Sequence, residues 1–235
     1  MQLTRKSLFC LVVVLIIAAA AVPATGGAGS PKPRPAPDMP LDELLALGNE
    51  SIERFWWMTS ASLGLRRIRS PRLISAANGT STPCGRVEDA IYCAQNNTIY
   101  YDYNFMRRMY TDPGDFAVVT VLAHEWGHSV QAQLVPGWDE LPSFVIEQQA
   151  DCFAGAYARA ADNWRLLERG DMDEGMESLY RSGDAKGKLP LALGYYGHGT
   201  SFKRVSVFLY GYNTDARACF CECIDNSLRE YYSEG

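Results

Sequence analysis

Apolar positions recur at helical spacing over residues 41–57, where Leu41, Leu44, Leu45, Leu47, Ile52, Phe55 and Trp56 fall on one side of an amphipathic helix. The rhythm then changes. Over residues 90–103 two β-rich runs, AIYC and TIYYDY, flank the turn-forming tetrad AQNN, which predicts a hairpin with Cys93 at the end of its first strand. Helical periodicity returns at 116–134, where Asp115 can serve as the cap and Ala117, Val118, Val121 and Leu122 form the buried side. A further long helical pattern runs through VIEQQADCFAGAYARAADNW at 145–164. These elements predict a mainly α, α+β domain: a first helix, a small β-hairpin, then two long helices. No internal repeat is visible.

The N-terminus follows a different logic. Arg5 and Lys6 precede an unbroken apolar stretch at 8–22, and the small residues of Val22-Pro23-Ala24 suit a signal peptidase, so residues 1–24 read as an export signal. The stretch is shorter than the roughly 20 residues that span a bilayer comfortably, which favours cleavage over retention of 8–22 as a membrane anchor. Cys10 lies near the start of this run and reads as one of its hydrophobes. Residues 25–40, dense in Pro and Gly, have the composition of a solvated tether, and the folded domain is expected over 41–235.

Composition narrows the picture further. A chain of 235 residues, 47% hydrophobic and 21% charged, is enough for one domain with a real core. Its formal charge of -5, with no basic run beyond the N-terminus, argues against nucleic acid as a partner. In an oxidising compartment Cys84, Cys93, Cys152, Cys219, Cys221 and Cys223 would form disulfides, with the pairing open. The rival reading of CFCEC at 219–223 as part of a zinc ribbon lacks the usual two-residue gap and a second Cys pair. The Asn-x-Ser/Thr matches at Asn49, Asn78 and Asn96 are too frequent by chance to imply glycosylation.

The chemistry is carried by HEWGH at 124–128. His124 and His128 stand four apart, so their imidazoles leave one helix face a turn apart and can bind one Zn²⁺. Glu125 adjoins the first of them and can take a proton from a water that the metal activates. Gly127 leaves room for another backbone on this crowded face. Two histidines leave zinc short of protein ligands, and sites of this type draw a third from a second helix roughly 20 residues downstream. Glu147, nineteen residues after His128, has that spacing. Asp151, one turn beyond Glu147 among small and apolar neighbours, could accept the outer N–H of a ligand imidazole; as an ordinary helix charge it would be solvated.

The chain resembles the neutral zinc metallopeptidases of bacteria. The pieces that carry the resemblance are TPCG at 82–85, AIYCAQNNTIYYD at 90–102, VLAHEWGHSVQ at 121–131, EQQADCFAGAYA at 147–158, ALG at 192–194 and HGTSFKR at 198–204. The resemblance implies a zincin-like helical domain, dependence on zinc, action on a peptide or protein substrate, and the ligand trio His124, His128 and Glu147. It further implies that Cys84 pairs with Cys93 and that Cys152 meets a cysteine near the C-terminus, for which Cys219 is a candidate. Tyr195 and Tyr196 replace an acidic pair usual after ALG in this family, and Phe202 and Lys203 alter its HGTSxQR-like stretch, departures that bear on substrate preference and leave the metal-ligand positions intact.

His198, in the Gly-rich GYYGHGTS, has three competing roles: donor to the oxyanion of the tetrahedral intermediate, structural hydrogen-bonding residue of the loop, or ligand in place of Glu147. Tyr195 and Tyr196 are rival donors. The function expected is zinc-dependent peptide hydrolysis; the alternative is a zinc-stabilised binding or scaffold module at the cell surface with little turnover. The intact Glu125 favours the first, since a structural zinc has no use for a proton acceptor beside it. Residues 1–40 should direct export when fused to a reporter active only outside the cytoplasm, and a silent reporter would count against the signal and the disulfide reading together.

Overall fold

The computed structural model describes residues 39–183 and 198–220. The apolar stretch 8–22, most of the tether, Tyr195, Tyr196, Cys221 and Cys223 lie outside them. Helix α1 (Leu41–Ser62) carries Asp42 and Glu43 in its first turn, where negative charge complements the helix dipole, and it buries Leu41, Leu45, Ile52, Phe55 and Trp56. It runs a turn beyond the predicted 57 because no breaker intervenes before Leu63, whose N–H bonds to Thr59 O at 3.0 Å.

Five short strands follow: β1 (Arg72–Ala76), β2 (Ser81–Thr82), β3 (Gly85–Arg86), β4 (Ala90–Cys93) and β5 (Thr98–Asp102). The expected hairpin is present as the antiparallel pair β4–β5, in register Cys93 with Thr98 and Ala90 with Tyr101. Its turn places Asn97 at φ 49°, a left-handed conformation that Asn tolerates better than most residues. β1, which no periodicity predicts, pairs in parallel with β5, Arg72 opposite Thr98, and completes a sheet of order β1-β5-β4. Its partner is distant in sequence, so no local turn announces it. β2 and β3 form a separate two-stranded ribbon, and the Cys84–Cys93 disulfide ties this ribbon to β4.

The remaining elements are helical: α2 (Tyr103–Thr111), α3 (Asp115–Leu134), a short 3-10 turn (Trp138–Glu140), α4 (Ser143–Asn163), α5 (Asp171–Arg181) and α6 (Ser201–Asn213). The chain is thus mainly helical with a small sheet. Helix α2 is capped by Asp102, whose carboxylate accepts the Phe105 N–H at 2.6 Å. Helix α3 departs from expectation in two ways. Gly114, not Asp115, occupies its N-cap, and Asp115 lies in the first turn; the Phe116 N–H is instead satisfied from α5, by Glu174 Oε2 at 3.1 Å. Nor is α3 buried on one face only. Phe116 to Thr120 and Leu122 to Gly127 are all buried, because α1, α2, α4, α5 and β4 surround it. A helix buried on nearly all sides keeps no polar face for periodicity to reveal.

Helix α4 packs against α6 at very short range. A Cβ placed on Gly155 would fall 1.9 Å from Phe208 O, and one on Gly211 would fall 2.0 Å from Cys152 O, so each helix offers a glycine to the other's backbone. The Cys152–Cys219 disulfide closes the same side. Phe153, fully buried, meets Trp56 edge-on at 5.1 Å and Phe220 at 4.9 Å, which joins α1 and the chain after α6 to one core.

Where α5 meets the start of α3, Asp115, Asp171 and Glu174 bring carboxylate oxygens within 4.8 Å of one another. Burial, with Asp115 and Asp171 beside it, pushes the Glu174 carboxyl up to about 7 despite the Phe116 N–H it accepts. Between the ordinary value of 4.5 and about 7 the folded chain therefore holds a proton that the unfolded chain has lost. Its contribution to stability falls as pH rises through that window. Glu174→Gln keeps an oxygen for Phe116 and removes the ionisation, so it should raise Tm at pH 8 by on the order of a few degrees and by much less at pH 5. Equal shifts at the two pH values would show that Glu174 does not titrate in this way.

Candidate metal centre

The site is built where α3 crosses α4. At the crossing Gly127 faces Ala150, and a Cβ on Gly127 would lie 2.9 Å from the Ala150 Cα, closer than real side chains approach backbone. His124 and His128 stand three residues before and one after Gly127. Glu147 and Asp151 stand in the same relation to Ala150. Each helix therefore offers the two positions that flank the contact, and the four side chains meet across it.

His124 Nε2 and His128 Nε2 lie 3.1 Å apart, with Glu147 Oε2 3.1 Å from the first and Oε1 3.5 Å from the second. The outer nitrogens fix which ring atoms carry protons. His124 Nδ1 is 2.7 Å from Asp151 Oδ1, and His128 Nδ1 is 2.8 Å from Gln131 Oε1. Both partners are acceptors, so both Nδ1 atoms donate. In the neutral rings the two Nε2 lone pairs then face each other and a carboxylate. Glu147 Oε2 is buried, accepts no hydrogen bond and lies 3.1 Å from His124 Nε2.

With the rings neutral, three acceptors converge with no proton between them, an arrangement that suits a cation. A tetrahedral zinc at about 2.1 Å from each ligand sets ligand atoms about 3.4 Å apart, close to the separations found here. Charge points the same way. Among the described residues, Glu125, Glu147 and Asp151 are opposed by one buried guanidinium, Arg204, so with neutral imidazoles these groups lack two positive charges. Protons fill part of that deficit. Burial alone would pull the His124 imidazolium down, but Asp151 and Glu147 outweigh it and push it up to about 10. Burial raises Glu147 and Asp151, yet His128 and His124 beside Glu147, and Arg204 and His124 beside Asp151, hold both below the usual carboxylate range.

Glu125 is nearly buried, and its Oε2 accepts the backbone N–H of Tyr92, on β4, at 2.6 Å. Burial raises its carboxyl above the ordinary value against the opposing pull of His128 and His124. Its Oε1 has no hydrogen-bond partner among the described residues. A carboxylate held by one oxygen and raised in basicity is suited to accepting a proton at the other.

The structure brings together His124, Glu125, His128, Glu147 and Asp151. It does not bring His198 into the group of ligand atoms: His198 is exposed in the segment before α6. Three partners escaped the sequence reading. Gln131 carried a usable signal, standing three residues after His128 on the same helix. It is itself held, donating to Ile146 O at 2.7 Å and to Gln149 Oε1 at 3.0 Å. The Tyr92 N–H is main chain and leaves no trace in residue identity. Arg204 closes HGTSFKR, but no spacing rule links it to Asp151.

The family model described as "Putative neutral zinc metallopeptidase" matches residues 43–137 and 139–223. The chain is 30% identical over 189 residues to the uncharacterized protein YpfJ of Escherichia coli K12, an alignment covering 70% of this chain and 65% of that protein. It is 34% identical over 102 residues to the uncharacterized protein Rv2575 of Mycobacterium tuberculosis H37Rv, covering 37% of this chain and 34% of the relative. The chain thus spans just under two thirds of the length of YpfJ. No solved structure matches it significantly.

Gly127→Ala tests the crossing. In an open helix this change would stabilise by about 0.5–1 kcal/mol, whereas forcing a methyl against backbone costs about 1–3 kcal/mol, so the clash should win. Tm should fall, and bound zinc per chain should fall with it as Glu147 is pushed from the histidines. An unchanged Tm with full zinc content would show that the helices do not depend on this contact.

Proposed function

Because the chain belongs to the neutral zinc metallopeptidase family, we propose that it is a zinc-dependent peptidase, with His124, His128 and Glu147 as metal ligands and Glu125 as the group that moves protons. The observation that carries the reading is the convergence of two imidazole Nε2 atoms and a buried, unbonded carboxylate oxygen while both Nδ1–H groups are satisfied elsewhere. When bound, zinc supplies a Lewis acid that polarises a scissile carbonyl and acidifies a water.

The chain's own residues supply the rest. Asp151 and Gln131 hold the two rings with Nε2 inward. Glu125, anchored through Oε2, accepts the proton of the attacking water at Oε1 and returns it to the leaving amine, so no proton need cross to bulk solvent between the two halves of the reaction. The substrate class is peptide or protein, and the basic flank and apolar stretch at 8–22 support action outside the cytoplasm. His198, exposed before α6, remains a candidate donor to the oxyanion.

Two substitutions separate metal binding from chemistry. Glu125→Gln retains an amide oxygen for the Tyr92 N–H and leaves all three ligands in place. Zinc should stay bound while hydrolysis of an unstructured protein falls at least 10²–10⁴-fold. Glu147→Ala removes a ligand and a charge, and zinc content should drop together with activity. A Glu125→Gln chain that loses its metal beside a Glu147→Ala chain that keeps it and still cleaves would overturn these assignments. A chelator should abolish turnover by the native chain, and added zinc should restore it.

A further inference from the structure

We infer that Arg204 is a positioning residue of the metal centre, fixing Asp151 and, through it, the Nδ1–H of His124. The inference rests on the reading of His124 as a ligand. Arg204 lies on α6, the carboxylate it binds on α4 and the imidazole on α3. Its fork closes on both oxygens of Asp151, Nε to Oδ2 and Nη2 to Oδ1, each at 2.8 Å. Oδ1 also accepts the His124 Nδ1–H at 2.7 Å, so one oxygen is shared between guanidinium and imidazole, with Nη2 3.3 Å from Nδ1. Nη1 reaches Ser182 O, just past the end of α5, at 3.3 Å.

This arrangement does more than neutralise a buried acid. A carboxylate gripped at one oxygen can still turn about its Cβ–Cγ bond; gripped at both by a planar fork it cannot, and the lone pair aimed at His124 is fixed in direction. Asp151 is fully buried and Arg204 is 4% exposed, so water is poorly placed to substitute for either. The fork is itself held in place. Gly155 and Gly211 bring the α4 and α6 backbones into contact, and the arginine stem therefore starts from a fixed point relative to Asp151. A lysine at 204 would keep the charge but could not span both oxygens in this way.

The test uses the full chain as native protein and as Arg204→Met, Arg204→Lys, Asp151→Asn and the Met/Asn double variant. Zinc affinity is measured by competition with a chromophoric chelator, and exchange of the His124 Nδ1–H with solvent is followed by NMR in metal-free protein. Arg204→Met should weaken zinc binding about 10–100-fold and speed exchange of that proton, with Arg204→Lys recovering only part of each. If Arg204 acts through Asp151, the double variant should bind zinc little worse than Asp151→Asn alone. Native affinity and native exchange in Arg204→Met would overturn the inference, as would losses that multiply in the double variant. Should Arg204→Met fail to fold, Arg204→Lys decides: a folded chain with native zinc affinity overturns the inference, and a weakened one supports it. A native chain that takes up no zinc, yet whose Nδ1–H exchange still depends on Arg204, would refute the peptidase reading while leaving the positioning role intact.

Discussion

Side chains on two helices can converge on a single ion only where the helix axes come close, and here that closeness depends on the missing Cβ of Gly127 against the Ala150 backbone. The positions on either side of the contact carry His124, His128, Glu147 and Asp151, so one packing event sets four side chains at once. Everything else reinforces it. Helix α3 is surrounded by other elements, leaving it no freedom to slide, and Gln131 spans the gap to α4 by bonding Ile146 O and Gln149. Gln149 in turn donates to Cys219 O, which links the crossing to the disulfide on the far side of α4.

The centre is also a balance of charge. Burying three carboxylates beside one guanidinium costs too much unless further positive charge is close by. Protons on the two imidazoles can supply it, and so can a divalent cation, so metal uptake should displace protons. The outer bonds from Asp151 and Gln131 keep this exchange orderly, because they hold the Nδ1 protons in place and leave only the inner nitrogens to give theirs up.

How much of this the residues announced varied with the range of the interaction. The pentad, the nineteen-residue step to Glu147 and the one-turn step to Asp151 are local to a helix or set by a recurring spacing, and the hairpin is marked by its own turn. Periodicity predicts helix α3 but not the extent of its burial, since a helix enclosed by neighbours looks the same in sequence as one half-covered by them. Strand β1 pairs in parallel with a distant partner, Glu174 takes over a capping bond from another helix, and Arg204 closes on Asp151 from α6. Each of these is decided by tertiary contact and leaves no periodic trace. Asp115 illustrates the limit: a good capping residue stands beside a glycine that took the position because Glu174 presses against its backbone.

Glu125, the proposed proton acceptor, is oriented by a main-chain amide, and that has a bearing on how the protein can vary. Every amino acid except proline presents the same N–H at position 92, so substitution of the tyrosine side chain leaves the hydrogen bond to Glu125 available. What must be preserved is the path of β4, set by its pairing with β5 and by the tie from Cys84 to Cys93. As far as this anchor is concerned, position 92 is open to drift as long as strand and bridge persist. Among divergent copies of this chain the anchor of the acceptor should outlast the identity of the residue that provides it.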